Sequence, residues 1–145
     1  MQITEMPKIT DEVLKSIPGA VNDAEILHLL RSTNIGWKYM HTFMEWTTFD
    51  INIVSEWLNI SEKTLRGYAK PKSTFKGNTQ EHLLLLLSLY KHGTNVFGTS
   101  EDFEKWLDTE NFFFDGEKPA AFLNTLTGIK FTDDRLTGLQ YGDNV

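Results

Sequence analysis

Five consecutive leucines, Leu83 to Leu87, lie inside a segment that otherwise reads as one long helix, Thr79 to Phe97. Successive side chains on an α-helix are turned by about 100°, so five adjacent positions sweep the whole circumference. No polar face remains over that stretch, and such a helix has to be covered on every side. The cover comes from the rest of the chain or from a second subunit. Everything else in the sequence must be arranged around this segment.

The flanking patterns are helical, and strand signals are poor. Asn22 and Glu25 have capping-box spacing ahead of Ile26, Leu27, Leu29 and Leu30. Gly36 opens a second apolar stretch through Trp37, Met40, Phe43, Met44 and Trp46 at helical spacing. Asp50 is a candidate cap for Ile51 to Leu58, and Ser61 for Glu62 to about Ala69, which Pro71 stops. Lys72 to Asn78 reads as a loop, and Gly93 is a possible interruption of the long helix before Gly98 ends it. Thr99 and Asp102 open a further helix. Asn111 to Lys118 reads as a loop, Pro119 to Leu126 as a short helix closed by Gly128, and Thr132-Asp133-Asp134 as the start of the last helix. The expected fold is all-α.

The chain has 145 residues, enough for one sizeable core or two small helical modules sharing one. Its 40% hydrophobic and 23% charged content excludes a disordered chain. With no cysteine, disulfides and thiolate metal sites are excluded, and a reducing cytoplasm is the expected compartment. The N-terminal residues show no basic flank and apolar run, so neither a signal peptide nor a membrane span is expected. The net charge of −6 is unevenly spread: −2 over residues 1–49, +2 over 50–99 and −6 over 100–145. A basic middle between acidic ends suggests different partners for different segments.

Ile51 to Tyr68 carries the sharpest local pattern. With the turn at Asn59, the apolar residues Val54, Leu58, Ile60, Leu65 and Tyr68 fall where two crossed helices share a small core. Ser55 falls at the close approach and Asn59 where the turn needs a positive φ, which Asn tolerates. The pattern fits a helix-turn-helix; an ordinary helical hairpin is the alternative. The second helix would then read DNA, with Lys63, Arg66, Gly67, Lys70, Lys72 and Lys76 as the candidate DNA-binding residues. Between Ile60 and Lys76 five basic residues face one acidic residue. Arg66 is the candidate to reach a base edge, and Gly67, costly in a helix by roughly 1 kcal/mol, suits close approach to a DNA backbone. The bland reading is a solvated face followed by a lysine-rich loop.

Groups that could do chemistry do not converge. His28, His41, His82 and His92 show no ligand-binding spacing, Asp133-Asp134 reads as a helix cap, and there is no glycine-rich phosphate loop. No catalytic residue, metal site, cofactor or small-molecule substrate is expected, and the chain is read as a non-enzyme. Trp37, Trp46, Trp57 and Trp106 read as core or interface anchors. Phe112-Phe113-Phe114 is more apolar than a loop should be, and is either a plug into the core or an interface patch.

The C-terminal third carries an ordered set of short motifs: Val96-Phe97-Gly98, Trp106-Leu107, Gly116-x-x-Pro119, Leu123-x-Thr125-x-x-Gly128, Leu136, and Tyr141-Gly142. With the preceding helix pair and long helix, over residues 50–145, this resembles the Xre/MbcA/ParS-like antitoxins, which neutralise RES-domain toxins. The long helix departs from them in starting Gln80-Glu81-His82, where members usually show a Ser and an Arg. The chain then reads as four parts: a generic helical N-terminal region (1–49) outside the resemblance, and, as the resemblance implies, an Xre-type helix-turn-helix (50–77), a connecting long helix (78–98) and a small helical toxin-binding domain (99–145). It implies a bacterial type II toxin–antitoxin pair whose toxin consumes NAD or transfers ADP-ribose from it. It also implies a homodimer that binds operator DNA, represses its own operon and blocks the toxin's NAD site. Candidate toxin-binding residues are Phe112, Phe113 and Phe114 together with Gln140, Tyr141, Gly142, Asp143, Asn144 and Val145. The tail could imitate the ligand, with carboxylates where phosphates sit and Tyr141 at a ring position; a frayed terminus is the alternative. A second reading from another class is an Xre-type transcriptional regulator with no toxin partner, whose C-terminal domain only dimerises or senses a ligand.

Overall fold

The computed structural model describes residues 5–142, with side chains from Ile9 onward. Eight α-helices follow one another: α1 (Glu5–Ser16), α2 (Asp23–Ser32), α3 (Trp37–Trp46), α4 (Ile51–Leu58), α5 (Glu62–Tyr68), α6 (Gly77–Phe97), α7 (Ser100–Leu107) and α8 (Leu126–Gln140). Between α7 and α8 lie two 3-10 turns, Phe112–Phe114 and Pro119–Phe122. The described residues contain no strand, and none of their helices is long and apolar enough to cross a membrane.

The leucine run sets the architecture. Leu83 to Leu87 are all buried, and so are Ser88, Leu89 and Tyr90 beyond them. The cover comes from within the chain, because α8, α7, α2, α3 and α4 all pack around α6, while α1 lies against α3. One hydrophobic cluster extends from Val13 in α1 through Met40, Val54 and Leu65 to Ile129 and Leu136 in α8. Each buried leucine contributes on the order of 1.5–3 kcal/mol. Lys91, on α6, spans to the end of α1, where its Nζ donates to the carbonyls of Leu14 (2.7 Å) and Ile17 (2.8 Å).

Several helix starts are set by the residues expected to set them. Asn22, Ser61 and Thr99 each accept a hydrogen bond from the backbone N–H three residues on. Asp50 occupies its cap position without making the side-chain bond. Elsewhere the structure corrects the sequence reading. The long helix begins at Gly77, two residues before Thr79, and Gly93 does not interrupt it. A Cβ at Gly93 would lie 2.3 Å from the Phe103 ring, so this glycine lets α7 press against α6.

The final helix differs most. It starts at Thr125, whose hydroxyl accepts from the Gly128 N–H, and runs unbroken to Gln140. Gly128 is therefore in its first turn and does not close a preceding helix; a Cβ there would sit 1.8 Å from the Phe122 carbonyl oxygen. Thr132 and Asp133 are buried in mid-helix and are no cap. Thr132 turns its hydroxyl back onto the Gly128 carbonyl at 2.8 Å. The Phe112-Phe113-Phe114 segment is a turn of 3-10 helix, capped by the Asn111 side chain accepting from the Phe113 N–H.

Candidate functional site

The α4–α5 pair closes on the residues expected of it. Val54, Leu58 and Leu65 are buried, Ile60 and Tyr68 are half-buried against them, and Ser55 is buried at the approach with its hydroxyl bonded to the Asn52 carbonyl. Asn59 terminates α4 in the left-handed conformation, φ 57° and ψ 40°. On the outer side Lys63, Arg66, Lys70, Lys72 and Lys76 all reach solvent, so the structure gathers these five cations on α5 and the loop after it. Gly67 has open space where a Cβ would stand and no positive φ, so nothing within the chain requires glycine there.

This helix pair is fastened to the segment before α8. Trp57 Nε1 donates to the Ala120 carbonyl at 2.9 Å, and Asn59 Nδ2 to the Asn124 carbonyl at 3.1 Å. From α6, His82 Nε2 donates to the Leu123 carbonyl at 2.9 Å. Three carbonyls in five residues are thus held by α4, its turn and α6. Burial holds His82 below the ordinary histidine range, against smaller opposing effects of the Leu123 bond and of Glu81. It is a neutral imidazole whose proton sits on Nε2.

The aromatic triplet divides between the two readings left open for it. Phe114 is 1% exposed and meets Trp106, Phe122 and Phe131 edge-on at centroid separations of 5.8, 5.2 and 5.1 Å. It is the plug, and as a direct partner-binding residue it is a correction. Phe112 is 88% exposed, while Phe113 lies beneath the Arg135 guanidinium, 3.7 Å from its ring centroid. Phe131 is exposed beside them. The outcome is a surface of three phenylalanines and an arginine on the acidic third of the chain. Phe131 and Arg135 were missed by sequence reading. The signal was present as their i, i+4 spacing on one helix, but it was hidden while that helix was thought to begin at Thr132.

The buried polar cluster His92–Asp133–Gln140 was missed as well. His92 Nδ1 lies 2.8 Å from the Asp133 carboxylate, and Nε2 lies 3.2 Å from Gln140 Oε1. The Asp133 carboxylate accepts from Nδ1–H, and Gln140 Oε1 is placed to accept from Nε2–H when the ring is protonated. Burial acts to lower the His92 pKa, but the Asp133 bond and charge, with Gln140, outweigh it and the net shift is upward. Among the described residues no three His, Asp or Glu side chains gather to hold a metal. Gln140 is therefore the last anchored residue of α8, Tyr141 and Gly142 follow it exposed, and Asp143, Asn144 and Val145 lie outside the described residues.

No curated protein matches the chain. One family does match, from His92 at the end of α6 through α7, both 3-10 turns and α8 to Gly142. Residues 92–142 match the family described as the antitoxin Xre/MbcA/ParS C-terminal toxin-binding domain.

Proposed function

We propose that the chain is the antitoxin of a type II pair whose toxin is a RES-domain protein acting on NAD, and that it represses its own operon as a dimer through α4 and α5. The observation that carries the toxin half is the exposed patch of Phe112, Phe113, Phe131 and Arg135, within the segment that matches a toxin-binding domain. Aromatic rings and arginine are the side chains that dominate the energy of protein interfaces, and a contiguous apolar patch on an acidic surface calls for a partner. The DNA half is supported by the left-handed Asn59 turn and the five solvent-facing cations on and after α5. The patch favours an inhibitor over a regulator without a toxin.

Phe112→Asp tests this reading on the protein as it stands. Phe112 contributes nothing to the core, so the variant should melt like the parent. It should lose affinity for a RES-domain protein encoded beside it by tenfold or more, about 1.4 kcal/mol, the ordinary loss at an interface anchor. Unchanged co-purification and unchanged inhibition of NAD turnover would remove the patch from the interface.

A further inference from the structure

A cleft of about 590 Å³ opens where α5, α6 and α8 begin. The first turns of the two long helices line it: Lys76, Asn78 and Thr79 from α6, Thr125 and Leu126 from α8. Lys76 gives the start of α6 no side-chain cap. Among the described residues the N–H groups of Asn78 and Leu126 have no acceptor. Unfilled N–H groups at helix starts carry partial positive charge and favour an anion.

Two buried side chains on the same wall point to a ligand independently. Thr79 is 5% exposed and its hydroxyl has no hydrogen-bond partner among the described residues. His82 is 7% exposed; with Nε2 given to the Leu123 carbonyl, its second ring nitrogen has no partner there either. Neither atom is sealed inside the protein, so both open onto the cleft they line. The charge of the cleft agrees: the chain has 20 Asp and Glu and a net charge of −6, yet no carboxylate lines the cleft and Lys76 does.

We infer that this cleft is a phosphate-binding site, and that its occupant is a phosphodiester of the DNA backbone. The choice of DNA over a free phosphate rests on the reading of α5 given under Proposed function. Ser61, which caps α5, and Thr64 on α5 also line the cleft, and Lys63, Lys70 and Lys72 lie on α5 and the loop that follows it. A duplex engaged by α5 would lay its backbone along the cleft mouth. The Lys76 ammonium and the Thr79 hydroxyl then donate to phosphate oxygens, as do the Asn78 and Leu126 N–H groups. The start of α8 belongs to the toxin-binding family segment, so that segment would touch DNA directly.

The test uses the full ¹⁵N-labelled chain with two probes, inorganic phosphate and a short duplex from upstream of its gene. Both probes should shift the Asn78 and Leu126 amide signals and the His82 ring signals. Thr79→Val, which keeps the shape and removes the hydroxyl, should weaken duplex binding by about three- to tenfold, and Thr79→Ser should restore it. Lys76→Gln should lower the slope of log affinity against log salt by about one. If the duplex binds but the amides stay still and both variants bind as the parent does, the cleft proposal falls and the DNA reading stands. If no duplex binds while phosphate shifts the amides, the DNA reading falls and the site is one for a free phosphate-bearing ligand. If neither probe moves these signals, the site does not exist.

Discussion

Gly67 sits in a seven-residue helix, with open space where a side chain would go. An alanine there fits without strain and should stabilise the chain by up to about 1 kcal/mol, through better helix propensity and a less flexible unfolded state. If glycine is kept for close approach to DNA, Gly67→Ala should melt higher and bind operator more weakly. A variant that binds equally well would return α5 to an ordinary solvated face. Gly128 is the opposite case. Its Cβ would stand 1.8 Å from the Phe122 carbonyl, so Gly128→Ala must push the 3-10 turn and α8 apart. A loss of roughly 1–3 kcal/mol is expected in urea unfolding, in the range of overpacked cores.

The two buried histidines should give stability opposite responses to pH. The folded pKa of His92 is raised above 6.5, so its contribution is fully present below 6.5 and is lost as pH rises through the folded value. His82 is lowered, so its neutral form favours folding above 6.5 and stability declines as pH falls from there toward its folded value. His92→Gln should flatten the loss on the alkaline side and leave the acid-side decline in place. Urea midpoints measured from pH 5 to 9 on both proteins would show it, and parallel curves would mean that His92 carries no differential charge.

At the scale of elements, α6 is the axis and the other helices are its cover. The α4–α5 pair lies on one part of this axis, and the aromatic patch lies on the turn after α7 and on α8. Reversing the charges of Lys63, Arg66 and Lys70 changes only side chains that reach solvent. That variant should fold, lose repression and still rescue cells from the toxin. Failure to rescue despite a native melting curve would sink the assignment of the two functions to separate surfaces. Trp57 and Asn59 do not belong in that test, because their bonds to the Ala120 and Asn124 carbonyls make them part of both segments.

For the molecule as a whole, one continuous core joins α1 to α8, and Tyr141 and Gly142, which follow Gln140, are exposed. Truncation after Gln140 keeps the bond to His92 and deletes residues 141–145. If the tail enters the toxin's NAD site, the complex should still assemble through the aromatic patch, yet the purified toxin should turn over NAD at saturating antitoxin. Equal inhibition by full-length and truncated protein would place the block at the patch instead.

What could be read from residues alone was local or periodic. The leucine run required a fully covered helix. Asn22, Ser61 and Thr99 marked helix starts because their side chains bond N–H groups three residues away. The α4–α5 turn was legible because it needs particular residue types at fixed spacing between Ile51 and Tyr68. The failures share a cause: the deciding contact is distant in sequence. Gly93 and Gly128 look like helix breakers, and only the Phe103 ring and the Phe122 carbonyl show them to be places of close packing. Asp133 looks like a cap until His92, 41 residues away, supplies its partner. The cleft is likewise an arrangement of helix starts from three parts of the chain, which tertiary packing alone brings together.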